Sequence, residues 1–152
     1  MENLFDVVME PAQVKAITNL GLAHMGDGVY ELLCRAYLCE KGGKKVINLH
    51  KNAIKLVNAA YQAKIADHLL PMLTEEEQDF YRRGKNAHTH AAPKSATPQE
   101  YAKATGLEAL FGALYLLGRI LPDEPEKILI DPVYLCGLVG GLAGYALGRS
   151  RR

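Results

Sequence analysis

Two short stretches place carboxylates where helices do not ordinarily keep them. Gly26-Asp27-Gly28 lies inside a strongly periodic run, and Glu108 lies inside Thr105-Gly-Leu-Glu-Ala-Leu-Phe-Gly112. Each interior glycine costs a helix about 1 kcal/mol relative to alanine, and an acid among apolar residues is costly unless it is paired. Glycine also removes the Cβ, which lets another helix, an ion or a phosphate approach closely. Neither acid has a lysine or arginine one helical turn away. Two oxygen donors on separate helices, each beside small residues, are what a shared Mg²⁺ or Mn²⁺ requires. Such ions accept a site of few carboxylates and complete it with water. The plainer reading is two acids that cap neighbouring loops or bond tyrosine hydroxyls, and spacing alone leaves both open. Glu31, one turn beyond Asp27, is the one nearby acid that could supplement the pair. A salt bridge on the helix surface is its plainer role.

The formal net charge of +1 hides an uneven distribution. Between Lys41 and Ala66 stand Lys41, Lys44, Lys45, Lys51, Lys55 and Lys64, with no acid. Arg82, Arg83, Lys85 and Lys94 follow between Phe80 and Gln99, again with no acid. Local basic tracts on a near-neutral chain point to one cationic face and an anionic partner, the alternative being a solvated lysine-rich surface. The three cysteines, Cys34, Cys39 and Cys136, form no CxxC pair and no zinc spacing. They read as reduced thiols packed as small hydrophobes in a cytosol. His88-Thr-His90 reads as a solvated or phosphate-facing pair rather than a zinc site. The N-terminal MENLFDVVMEP has acids and no basic stretch, unlike a secretory signal.

The elements that must hold these groups are helices. At 152 residues the chain is most simply one domain with room for a core. Leu22, Gly26, Val29, Leu33 and Ala36 recur at four-three spacing, which predicts a helix over 19–39 with Asp27 on the opposite side. Lys-Gly-Gly at 41–43 ends it. A second helix is expected over 49–70, stopping near Pro71, and a third from Thr74-Glu-Glu-Glu77 to about Arg83. Residues 82–96, RRGKNAHTHAAPKSA, lack periodicity and read as a loop. Thr97 as N-cap, Pro98 at the first helical position and Glu100 three residues on open a last helix that runs to Pro122. No stretch alternates as a strand would, so the fold class is all-α. Residues 1–122 form the expected domain. Residues 123–152 are an atypical, apolar, glycine-rich tail, packed or poorly ordered. Its uncharged core, Val133–Gly148, is sixteen residues long, short of the roughly 20 a membrane span needs, so no membrane partner is expected.

GDGVYE together with LEALFGALYL resembles the two signature helices of the ribonuclease III catalytic domain. In that family an acid-rich helix ends in Gly-Asp, and a later helix carries Asp-x-x-Glu-Ala-x-x-Gly-Ala-x-Tyr-Leu. The stretches LHKNAIKLVNAAYQAKI, LTEEEQDFYRRGKNAHTHAAPK and TGLEALFGALYLLGR are similar to its smaller subfamily, Mini-ribonuclease III. Members of that subfamily lack the double-stranded RNA-binding domain, for which this chain also leaves no room. The resemblance spans roughly residues 4–121. It implies an all-α, dimeric endonuclease domain in which Asp27 and Glu108 are the catalytic, Mg²⁺-binding carboxylates, with Mn²⁺ as a substitute. Ala23 and Thr105 stand where larger relatives keep further acids, and Ile47-Asn-Leu-His-Lys51 lacks their next glutamate. The reduced set leaves the number of ions open.

The resemblance also implies a double-stranded RNA substrate, contacted by Arg82, Arg83, Lys85, Asn86, His88 and Lys94. Duplex RNA is read by shape, 2′-hydroxyls and phosphates, which suits a helical protein with basic loops. A homodimer is implied, with Met25, Val29, Leu32 and Leu33 as interface candidates. The implied setting is maturation of large-subunit (pre-23S) ribosomal RNA in a bacterial cytoplasm, with a large-subunit ribosomal protein or the assembling subunit as partner. The alternative is a non-catalytic duplex-RNA-binding or ribosome-assembly factor on the same fold.

Overall fold

The computed structural model describes residues 7–40, 45–87 and 94–120. Six α-helices appear there in order: α1 (Pro11–Ala16), α2 (Asn19–Glu40), α3 (Val46–Val57), α4 (Ala59–Leu69), α5 (Glu75–Lys85) and α6 (Pro98–Leu116). A 3₁₀ turn at Leu70–Met72 follows α4, and no strand occurs among the described residues. The all-α expectation therefore holds. The expected stop at 41–43, the loop histidines His88 and His90, and the tail 123–152 lie outside the described residues.

The two capping boxes form as the sequence requires. Thr74 Oγ1 accepts from the Glu77 N–H while Glu77 Oε2 accepts from the Thr74 N–H at 2.8 Å. Thr97 and Glu100 repeat the exchange ahead of Pro98. Several boundaries differ from expectation, and α6 stops at Leu116 rather than running to Pro122, with Gly118 at a φ of 68° just beyond it. Pro11 at the first position and a Glu10–Gln13 box start a short helix, α1, that has no apolar periodicity to announce it. The single helix expected over 49–70 is two helices that meet at Asn58. Its backbone is extended there (ψ 151°), and its side chain accepts from the Tyr61 N–H at 2.9 Å. Finally α5 continues past Arg83 to Lys85, so Arg82, Arg83 and Lys85 stand on a helix rather than in a loop.

Helix α6 is the centre of the molecule. It buries Ala104–Leu107 and Ala109–Leu114 against α2, α4 and α5. Backbones nearly touch on its α2 side. A Cβ on Gly26 would lie 1.7 Å from the Glu108 carbonyl oxygen, and one on Gly112 would lie 2.1 Å from that of Leu22. On the α5 side a Cβ on Gly84 would sit 2.4 Å from the Ala109 Cβ. Gly26 and Gly28 therefore differ. The first makes room for α6, whereas a Cβ on Gly28 would meet nothing within 4 Å.

The buried stripe of α2 is Leu22, Ala23, Gly26, Val29, Tyr30 and Cys34. Leu33 is half-buried and Ala36 exposed, because a straight helix repeats at 3.6 residues and drifts away from a strict heptad. Tyr30 anchors the middle, with its ring edge-on to Phe111 at 5.7 Å and its hydroxyl donating to the Leu56 carbonyl at 2.9 Å. Of the interface candidates, Val29 is 6% exposed and belongs to this core, while Leu32 is 52% exposed. Among the described residues no helix is long and apolar enough to cross a membrane.

The two glycines respond oppositely to one added methyl. Gly26→Ala forces α2 and α6 apart and costs about 2 kcal/mol or more, which lowers the midpoint of thermal unfolding by roughly 5 °C or more. Gly28→Ala gains helix propensity of about 1 kcal/mol and raises the midpoint. Circular-dichroism melts of the two variants check this; equal midpoints would contradict the packing described.

Candidate active site

The Gly26–Gly112 contact brings the two signature carboxylates to one place. Asp27 follows Gly26 on α2 and is exposed, while Glu108 on α6 is half-buried. The acids are thus one wet and one largely dry, Asp27 lying opposite the apolar face as its spacing predicts. Burial pushes the Glu108 carboxyl up from the ordinary 4.5 to about 7, and the nearby Asp27 charge adds to the rise. A hydrogen bond from the Gln62 side chain works in the opposite direction. Among the described residues no lysine or arginine forms an ion pair with either acid.

The donors present suit a hard divalent cation. They are carboxylate oxygens whose mutual repulsion no basic group offsets. Among the described residues no third His, Cys, Asp or Glu completes a cluster with them. Mg²⁺ is held in that way, by one or two carboxylates with water and phosphate filling the remaining positions. Glu31 instead pairs with Arg35, which donates from Nε at 3.1 Å along the surface of α2. Ala23 and Thr105 are both buried, and Thr105 Oγ1 donates to the Tyr101 carbonyl at 3.0 Å.

The basic residues divide. Arg82, Lys85, Asn86 and Lys94 are exposed. Arg82 pairs with Asp79 one turn back. Arg83 is bound inside the protein. Its Nε donates to Asn19 Oδ1 at 2.9 Å and its Nη2 to the Lys15 carbonyl at 3.2 Å, with the guanidinium 5.9 Å from the centre of the Phe80 ring. It fastens α5 to the start of α2, a role that its place in a basic tract does not reveal.

Gln62 has no motif to mark it. The available signal is its spacing with Ile65, Ala66 and Leu69, the buried stripe of α4, where an amide is out of place.

Residues 20–119 match the family model described as Ribonuclease III domain. The chain belongs to the ribonuclease III family. It is 50% identical over 111 residues to the Mini-ribonuclease 3 of Symbiobacterium thermophilum, covering 73% of this chain and 85% of that one. With the Mini-ribonuclease 3 of a Thermoanaerobacter species it shares 41% over 106 residues, covering 70% and 75%. A crystal structure of a Fusobacterium nucleatum protein superposes with a TM-score of 0.65 at 37% identity, covering 77% of this chain and 92% of that one. The resemblance drawn from the signature helices is thereby established, and the ribonuclease III chain is an endoribonuclease.

The raised Glu108 carboxyl sets a pH dependence of stability. Between 4.5 and about 7 the folded state keeps a proton that the unfolded state has lost. Stability of the metal-free protein therefore falls as pH rises through that window and levels off above it. Melts in the presence of a chelator should show this fall in the wild type. Glu108→Gln, which has no proton to lose, should show a flatter profile over the same range.

Proposed function

We propose that Asp27 and Glu108 together hold Mg²⁺ and that the chain hydrolyses phosphodiester bonds of double-stranded RNA. The observation that carries this reading is the carboxylate pair at the α2–α6 contact, adjacent in space and without a basic partner. When bound, the ion acidifies the attacking water and neutralises charge on the scissile phosphate. The chain's own groups do the rest. Asp27, exposed to solvent, faces the side from which a duplex arrives, and Gly28 beside it leaves open space for a phosphate. Glu108 must give up its proton to serve as a ligand, so loading improves as pH rises through about 7. Water adds to phosphorus, the bond to the 3′ oxygen breaks, and that oxygen leaves with a proton, giving a 5′ phosphate.

Arg82, Lys85 and Lys94, with Asn86 and His88, contact phosphates, Arg as a fork and Lys as a point charge. Arg83 contributes by holding α5 in place. A homodimer would present two such sites to opposite strands, with Leu32 central to the interface and Met25 and Leu33 beside it. Residues 1–122 are the catalytic unit, and 123–152 an appended segment. Maturation of a pre-23S ribosomal RNA stem in a bacterial cytoplasm, on or near the assembling large subunit, is the biological reading. The nearness of the two carboxylates favours the catalytic reading over the non-catalytic RNA-binding alternative.

Two measurements test this. With duplex RNA and Mg²⁺ the wild type should cut, while Asp27→Asn and Glu108→Gln should lose at least about 100-fold in rate with RNA affinity retained. Binding without products from the wild type would leave only the non-catalytic reading. In salt titrations of RNA affinity, Arg82→Ala and Lys85→Ala should each reduce the slope by about 1. Arg83→Ala should instead lower the melting temperature, and a slope change without a stability loss would assign it to RNA.

A further inference from the structure

Gln62 stands beside Glu108 in a setting that packing does not explain. Its side chain is 1% exposed, on the buried face of α4. Its Nε2 donates to the Val57 carbonyl at 3.2 Å, and the side chain also hydrogen-bonds Glu108. Its Oε1 is buried and has no partner among the described residues. An orphaned buried acceptor costs on the order of 1–3 kcal/mol, which offsets what the bond to the Val57 carbonyl contributes, so stability alone does not call for an amide at this position. What an apolar residue would lack is the pair of N–H donors. An amide has two, and here one is committed to a backbone carbonyl, which fixes which way the group faces. The other is left to serve the hydrogen bond with the carboxylate.

We propose that Gln62 is the positioning residue of the active site, holding the Glu108 carboxylate in the orientation in which it shares a cation with Asp27. The proposal rests on the metal-dependent reading of the Asp27–Glu108 pair. Glutamate has three side-chain torsions, and an ionised Glu108 is repelled by Asp27. Without a fixed donor the carboxylate would turn away from its partner. An N–H donated by Gln62 favours the ionised form and selects one orientation of it. Gln62 itself is held at three points: the Val57 carbonyl, the close packing of α4 on α6, and its own backbone N–H, which donates to the Asn58 carbonyl at 3.0 Å. Groups that orient a metal ligand from behind in this way typically change metal affinity or activity by about 10- to 100-fold.

The test uses Gln62→Met, which keeps the volume and removes both donors. Mn²⁺ binding is measured on the full chain without RNA, from the electron paramagnetic resonance signal of the free ion. Gln62→Met should bind Mn²⁺ about 10- to 100-fold more weakly than the wild type, with kcat reduced and KM for duplex RNA unchanged; the melting temperature should change little, because removing the orphaned Oε1 offsets the lost donor to the Val57 carbonyl. A merely structural residue would move the melting temperature and leave Mn²⁺ affinity alone. That result, or wild-type Mn²⁺ affinity in Gln62→Met, overturns the proposal. If Gln62→Met does not fold, Gln62→Leu, which suits the apolar stripe of α4, is measured in its place. Wild-type protein that binds no Mn²⁺, with Glu108→Gln as active as the wild type, would overturn the metal-site reading and this inference together. Mn²⁺ binding lost in Glu108→Gln but intact in Gln62→Met would overturn this inference alone.

Discussion

The backbone contact between α2 and α6 is the constraint on which the rest depends. Helices usually pack with axes 8–10 Å apart because side chains stand between them. Here Gly26 and Gly112 remove those side chains, so that a single Cβ on either would overlap a carbonyl of the other helix. Two glycines in helix interiors sacrifice about 1 kcal/mol each in propensity. Close packing of two long helices offsets that loss. Moving the helices apart by the width of a methyl would separate Asp27 from Glu108. The signature glycines are thus packing devices first, and they serve the chemistry by fixing where two carboxylates stand.

That geometry creates an electrostatic problem with a specific form. The two acids share a site but not a solvent environment. Asp27 is exposed and Glu108 half-buried, so Glu108 loses solvation as well as facing the Asp27 charge, and its carboxyl rises to about 7. A proton and a divalent cation are alternative ways to relieve the same repulsion. Ala23 and Thr105, the positions where the resemblance would set further acids, are both buried in packing here.

Much of this was legible in the residues, and the exceptions have physical causes. Helix types, both capping boxes and the two signature acids could be read because each rests on local chemistry: a hydroxyl at an N-cap, a proline at the first turn, a carboxylate among glycines. The role of Gly26 against that of Gly28 could not, because it depends on which side of α2 meets α6. Arg83 looked like its neighbour Arg82, and the groups that take its guanidinium, on α1 and at the start of α2, are far away in sequence. The α3–α4 break was missed because apolar periodicity continues through it. Asn58 was its one local sign, since a side-chain amide can replace backbone partners at a helix end.

That break connects the fold to the chemistry. In an unbroken helix the Val57 carbonyl would accept from the N–H four residues on, that of Tyr61. Asn58 prevents this. Its Oδ1 takes the Tyr61 N–H at 2.9 Å, and its Nδ2 donates back to the Lys55 carbonyl. The Val57 carbonyl is left free at the end of α3, and a buried free carbonyl needs a donor. Gln62, one turn into α4, provides it, and in doing so loses the freedom to turn its amide over. A capping asparagine at a helix junction therefore sets the direction of a buried amide, and that amide sets the direction of a carboxylate on α6. The sequence of causes runs from one local backbone preference to the carboxylate through the Gln62 amide.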